Sequence, residues 1–120
     1  MSDPRTYQLL IRLRRPVTVV VGALGERTFA AGDYLYTGSA RRNLEARIAR
    51  HLSWGENPQR KRHWHVDYLL AVRGVQVVQV QRFVEPECAV NQGTPGSFPV
   101  PGFGASDCRA GCISHLKRQA

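Results

Sequence analysis

Apolar and polar residues alternate along Tyr7-Gln-Leu-Leu-Ile-Arg-Leu13, which sets Tyr7, Leu9, Ile11 and Leu13 on one face and Gln8, Leu10 and Arg12 on the other. A period of two predicts a β-strand, and Pro16 ends it because proline has no amide hydrogen for a ladder. Residues 17–22 and 26–31 predict the two arms of a hairpin around Ala23-Leu24-Gly25, since β-branched residues flank a glycine-bearing turn. Gly32-Asp33 predicts the next turn. Residues 34–38 then predict a strand with Tyr34, Tyr36 and Gly38 on one face and Leu35 and Thr37 on the other.

The period changes after residue 43. Ser39 to Asn43 carries capping residue types, and Leu44, Ile48 and Leu52 follow at a spacing of four, the buried stripe expected of a helix. Arg47 and His51 form the neighbouring stripe, one turn apart and facing the same way. Residues 54–62, with Gly55 and Pro58, read as a loop carrying Arg60, Lys61 and Arg62. Residues 63–70 predict a second short helix closed by Gly74, although the alternation of His63, His65 and Asp67 is also compatible with a strand. Residues 75–84 are the clearest strand, with valines interleaved by Gln76, Gln79, Gln81 and Arg82. Glu85-Pro86-Glu87 fits a helix start, with proline in the first turn and carboxylates complementing the helix dipole. Residues 91–104, rich in glycine and proline, predict a loop, and residues 106–116 a last short helix. With no repeat and no dividing linker, the expectation is one α/β domain of the α+β type over residues 1–120: a small, mainly antiparallel sheet flanked by helices, with an inserted β-hairpin.

At 120 residues and 42% hydrophobic content the chain can bury one modest core. No apolar run approaches the ~20 residues that span a bilayer. Met1 to Arg5 lacks the apolar stretch of an export signal, so the expected location is the cytoplasm. Lys and Arg number 17 against 9 Asp and Glu, a formal charge of +8, and Lys61 and Lys117 are the only lysines. Guanidinium groups bind phosphate through a planar fork, so a polyanion is the expected partner. Charge alone fits an acidic protein or an anionic membrane equally well. The clustering of Arg41, Arg42, Arg50, Arg60, Lys61 and Arg62, with Trp54 and Trp64 interleaved, turns the reading toward nucleic acid, as a backbone-binding and stacking surface. An odd count of three cysteines argues against a disulfide framework. Cys88, Cys108, Cys112 and His115 have tolerable spacing for zinc, against core packing by small apolar thiols. His63, His65 and Asp67 have metal-ligand chemistry too, against a polar cluster near the active face.

The run Tyr36-Thr-Gly-Ser-Ala-Arg-Arg-Asn-Leu-Glu-Ala-Arg-Ile-Ala-Arg-His51 resembles the signature of the GIY-YIG nuclease superfamily, in which Tyr-x-Gly-Ser ends a strand and a helix bearing Arg-x-x-x-His follows. His63-Trp-His-Val-Asp-Tyr-Leu-Leu70, Glu87-Cys88, Gly102-Phe-Gly-Ala-Ser-Asp-Cys108 and Ser114-His-Leu116 are similar to one branch of it, whose small domains stand alone or sit beside DNA-repair glycosylase domains. Where the superfamily has Gly-x-Tyr on its opening strand, Arg5-Thr-Tyr7 supplies only the tyrosine. Gly32-Asp-Tyr34 matches by letters but lies too near Tyr36 to form a separate strand. The long interval from Tyr7 to Tyr36 is accounted for by the inserted hairpin.

The resemblance implies a metal-dependent endonuclease hydrolysing phosphodiester bonds in nucleic acid, DNA being the favoured polymer, with DNA-repair enzymes as associates. It implies one divalent ion, Mg²⁺ or Mn²⁺, held by Glu87, with Glu85 as the rival ligand. Tyr36 would be the base or water-positioner, assisted by Tyr7, while Arg47 would clamp the phosphate with His51 as a neighbouring proton donor. Free tyrosine has a pKa of about 10, so a basic Tyr36 needs nearby positive charge, which Arg47 is placed to supply. Gly38 would admit a backbone or phosphate, and Ser39 would bind phosphate or cap the helix. Two other readings stay open: a non-catalytic nucleic-acid-binding module on the same scaffold, and a zinc-stabilised interaction domain.

Overall fold

A computed structural model describes residues 3–57, 59–105, 108 and 110–119. The chain forms an α+β structure in the order β1 (Thr6–Leu13), β2 (Val17–Val20), β3 (Glu26–Phe29), β4 (Gly32–Ser39), α1 (Leu44–Leu52), α2 (His65–Leu70), β5 (Gln76–Phe83), α3 (Glu87–Gln92) and β6 (Leu116–Arg118). Four strands make one antiparallel sheet in the order β5-β1-β4-β6, while β2 and β3 pair separately as the hairpin. Alternation in β1 dictates the layering. Directly opposed residues of an antiparallel pair share a face, so the register Tyr7↔Gly38, Leu9↔Tyr36, Ile11↔Tyr34 gathers the aromatic and aliphatic side chains on one side. That side is buried together with Ile48 of α1, Val66, Leu69 and Leu70 of α2, and Phe103. The other face is mixed: beside the paired Leu10 and Leu35, Gln8 donates to Thr37 Oγ1 at 3.0 Å and to Thr94 Oγ1 at 2.7 Å, just beyond α3.

The hairpin forms where its β-branched arms predict, with Val17↔Phe29 and Val20↔Glu26 as its end pairs and a 3₁₀ turn at Gly22–Leu24. It docks through Phe29, which meets Tyr34 and Phe103 edge-on at 6.2 and 6.0 Å between ring centres. Residues 65–70 resolve to helix, the strand alternative being excluded by the Asp67 carboxylate. Asp67 reaches back to accept the backbone amides of His63 at 2.7 Å and Trp64 at 3.0 Å, tying off the first turn of α2.

Several expected boundaries shift. Gly32 and Asp33 open β4 instead of forming a turn, because Leu13↔Gly32 and Arg12↔Asp33 are already paired. Ser39 ends β4 and is not a helix cap; α1 begins at Leu44 after Asn43 adopts a left-handed conformation (φ 54°, ψ 51°). Within α1 the expected Leu44/Ile48/Leu52 stripe is rotated, with Ile48 and His51 buried and Leu52 52% exposed. At 100° per residue position 51 lies about 20° from position 44, and position 52 about 80° away. A polar imidazole can take the inner position because it finds partners there. The tail carries strand β6 at Leu116–Arg118, paired with Tyr34–Tyr36, where a helix ending at residue 116 was expected. The parts of these expectations that fall on Pro58, Ser106, Asp107 and Arg109 lie outside the described residues. Among the described residues no helix is long and apolar enough to cross a membrane.

The rotated stripe has a direct consequence. Ile48→Ala is expected to destabilise the fold by about 2–4 kcal/mol, as for other buried aliphatic truncations, whereas Leu52→Ala should stay within about 0.5 kcal/mol. Equal losses for the two variants in denaturant melts would contradict this placement of α1.

Candidate active site

Where β1 begins and β4 ends beside the first turn of α3, the structure opens a cleft of about 500 Å³. Tyr7 and Tyr36 come to its wall from the sheet, Gly38 and Ser39 from the end of β4, Arg47 from α1 and Glu87 from α3. The Tyr7↔Gly38 pairing explains the glycine: a Cβ at residue 38 would lie 2.6 Å from the Tyr7 hydroxyl and 2.7 Å from its Cζ. The close approach expected at Gly38 is therefore made by the Tyr7 phenol. Gly104, at φ +67°, leaves matching room for Tyr36, whose ring would stand 3.0 Å from an added Cβ.

Behind Tyr7 lies a buried polar chain. The Tyr7 hydroxyl and His51 Nε2 are 2.7 Å apart, and His51 Nδ1 faces Asp67 Oδ1 at 3.8 Å. Arg50 approaches the other Asp67 oxygen at 3.5 Å. Burial pulls the His51 pKa down to about 4, more strongly than Asp67 raises it, so the ring is neutral at pH 7. A neutral ring with a proton on Nδ1 points its dipole at Asp67 and accepts the Tyr7 hydroxyl at Nε2. His51 is not on the cleft wall and stands behind Tyr7, so it acts through the phenol and does not itself meet a phosphate.

At the mouth, Arg47 donates to the Ser39 carbonyl and lies over the Trp64 ring with its Cζ 4.6 Å from the centre. Ser39 Oγ donates to Glu87 Oε1, while His115 Nδ1 sits 2.6 Å from Glu87 Oε2. Burial works against the Glu87 carboxylate, but the His115 and Ser39 hydrogen bonds outweigh it, so its pKa falls and Glu87 is ionised. Burial likewise opposes the His115 cation, yet Glu87 and Cys108 hold its pKa up to about 9. The two tyrosines behave otherwise. Burial raises both phenol pKa values well above 10, and Arg47 offsets only part of the rise because Glu87 and Asp67 act in the opposite sense. The positive surroundings expected to make Tyr36 basic are thus outweighed by desolvation. Protonated phenols fit the positioning role.

The expected basic surface divides. Arg41 and Arg42 are exposed, but they line a separate hollow at the start of α1. Lys61 is exposed as well. Arg50, Arg60 and Arg62 are turned inward: Arg50 donates to the Lys61 carbonyl, Arg60 to the Arg50 carbonyl and Ser53 Oγ, and Arg62 to the Arg60 carbonyl. All three guanidiniums cover Trp54, at 4.9–5.3 Å from its ring centre, and Trp54 is only 1% exposed. Trp54 therefore has no free face for a base, and these arginines hold the loop. The expected His63/His65/Asp67 ligand set is not assembled, since Asp67 is engaged at the α2 N-terminus and His65 Nδ1 accepts the Gly104 amide at 2.8 Å. Glu85, the rival of Glu87, does not reach the cleft; its carbonyl accepts Thr6 Oγ1. Reading the sequence alone left two site residues without a cleft role: His115, distant in sequence, and Trp64, whose half-buried ring carries Arg47.

The His51 environment makes stability pH-dependent. Between pH 6.5 and 4 the unfolded chain takes up a proton at residue 51 that the folded chain refuses, so this contribution falls as pH falls. It reaches on the order of 3 kcal/mol near pH 4. In denaturant melts from pH 7 to pH 4, wild type should lose its stability advantage over His51→Gln by that order. A pH-independent difference would show that the ring is not held neutral.

No curated protein and no solved structure matches the chain significantly. Residues 6–120 match the family model described as "Domain of unknown function DUF123", and the chain belongs to that family.

Proposed function

We propose that the chain is a metal-dependent endonuclease of the GIY-YIG type, cleaving phosphodiester bonds in nucleic acid, with DNA as the favoured polymer and the cytoplasm as its setting. The observation that carries this reading is convergence: Tyr36, Arg47 and Glu87 come from a strand and two helices and face one cleft. Arg47 is held by the Ser39 carbonyl and the Trp64 ring, so its guanidinium is oriented before a phosphate arrives. Glu87 is the sole carboxylate among the described residues lining the cleft, and it is ionised, which suits a hard cation that keeps most of its water. It would hold Mg²⁺ or Mn²⁺, and such an ion polarises a phosphoryl oxygen and acidifies bound water. Tyr36, protonated, orients by donating a hydrogen bond to water or to a phosphoryl oxygen, while Tyr7, whose O–H goes to His51, orients a water by accepting from it.

One observation favours the second reading, a nucleic-acid-binding module without turnover: each Glu87 oxygen already accepts a hydrogen bond, from Ser39 and from His115. A cleavage panel of single-stranded, duplex, flapped and branched DNA and RNA with Mg²⁺ and Mn²⁺ separates the two. Under the enzymatic reading, Glu87→Gln and Arg47→Ala lower turnover about 100-fold or more, and Tyr36→Phe also lowers it. Glu87→Gln should still bind with an affinity that drops steeply between about 50 and 200 mM salt. Salt-sensitive binding with no metal-dependent product on any substrate selects the binding module; salt-insensitive binding rejects both.

A further inference from the structure

The first turn of α3 and the segment leading into β6 meet at a cluster whose three cysteines have no part in the proposed hydrolysis. Cys88 comes from α3, and Cys108, Cys112 and His115 come from the later segment. One donor atom from each lies within 4.8 Å of every other. We propose that Cys88, Cys108, Cys112 and His115 bind one Zn²⁺ in a closed Cys₃His site.

Geometry supports the ion over the other uses of cysteine. The sulfurs of Cys88 and Cys108 are 3.3 Å apart, too far for a disulfide at about 2.05 Å. Two thiolates on a tetrahedral zinc with Zn–S near 2.3 Å stand about 3.8 Å apart, so a few tenths of an ångström of expansion completes that edge. Core packing does not account for the cluster either, since all three cysteines are free and only half-buried.

His115 supplies the fourth ligand. The ring is 1% exposed, and its Nε2 is buried without a hydrogen-bond partner. Its Nδ1 faces two acceptors, Glu87 Oε2 at 2.6 Å and the Thr37 carbonyl at 3.2 Å, so Nδ1 carries a proton. The Nδ1 hydrogen bond to a carboxylate fixes which nitrogen keeps its proton, and zinc would take the place of the proton on Nε2, as at metal-bound histidines. Gln92 Nε2 adds an N–H directed at Cys112 Sγ, 3.6 Å away, of the kind that stabilises a thiolate. Three thiolates and an imidazole form a soft, four-coordinate set that prefers zinc to the hard cations suited to Glu87. With every position filled by protein, the ion is structural. It links α3 to the chain ahead of β6, and through His115 it holds Glu87 against the cleft.

The site stands independently of the hydrolytic reading, and its test uses no activity. The full-length chain is purified under reducing conditions without chelator, analysed for metals, and titrated with a thiol reagent before and after chelation. Expected are about one zinc per chain and three thiols that react only once chelator is added. Cobalt replacement should give the intense visible bands of a tetrahedral thiolate complex. Cys112→Ser and Cys88→Ser should lose the metal, whereas His63→Ala, which alters an exposed histidine outside the cluster, should keep it. Substoichiometric zinc in a folded chain, thiols that react freely before chelation, or zinc lost with His63→Ala but kept with Cys112→Ser would overturn the proposal. Should the cysteine variants fail to fold, wild-type metal content and thiol protection decide the matter.

Discussion

Asp67 is a carboxylate with no exposure to solvent, and its burial is tolerable only because the chain is folded around it. One oxygen receives the backbone amides that open α2 and the approach of Arg50 from α1; the other faces His51. A single side chain thus joins both helices above the tyrosine face of the sheet. Because His51 also meets Tyr7, the same charge reaches the cleft through a neutral ring that is held in one orientation. Removing either partner would strand a buried polar group, which makes this chain costly to break and restricts how α1 can rotate.

The cleft combines two kinds of rigidity. On the sheet side, Tyr7 lies over a residue with no Cβ, and its hydroxyl is fixed by His51, so the phenol has little freedom. On the α3 side, Glu87 is clamped between Ser39 and His115, and Arg47 between a carbonyl and an indole. Positive, negative and neutral polar groups are thereby fixed around one small volume before any ligand enters. This is preorganisation: little need move on binding, and the cost of orienting charge falls on folding. The Cys₃His cluster would extend that clamp, because it bears on His115 from the side opposite Glu87.

Much of the positive charge serves the fold. Arg50, Arg60 and Arg62 cover Trp54 and donate to loop carbonyls, holding a segment that has little regular secondary structure. Guanidinium suits this work because it is flat, weakly hydrated and rich in donors, so it can stack and hydrogen-bond at once. The charges left outward for a polyanion are those such as Arg41, Arg42 and Lys61, and two of these lie beside a hollow other than the cleft.

Periodicity was enough to place β1, the hairpin, β4, α1 and β5, because alternation and the 3.6-residue repeat are local consequences of burying one face. It also separated the tyrosine face of the sheet from the opposite one and set Arg47 and His51 on one helix stripe, whereas Tyr36, Gly38, Ser39, Arg47 and His51 were grouped as site candidates by the resemblance that the Tyr36-to-His51 run carries. Local pattern could not tell whether His51 or Leu52 turns inward, since that depends on Tyr7 and Asp67 waiting across the core. Nor could it tell that the three arginines around Trp54 are occupied, that burial outweighs Arg47 at the tyrosines, or that residues 116–118 pair with Tyr34–Tyr36. The sequence by itself determined which residues can form strands and helices and which chemical groups are at hand. Only the tertiary structure decided which groups meet and how strongly water is excluded around them, because both depend on contacts between residues far apart along the chain.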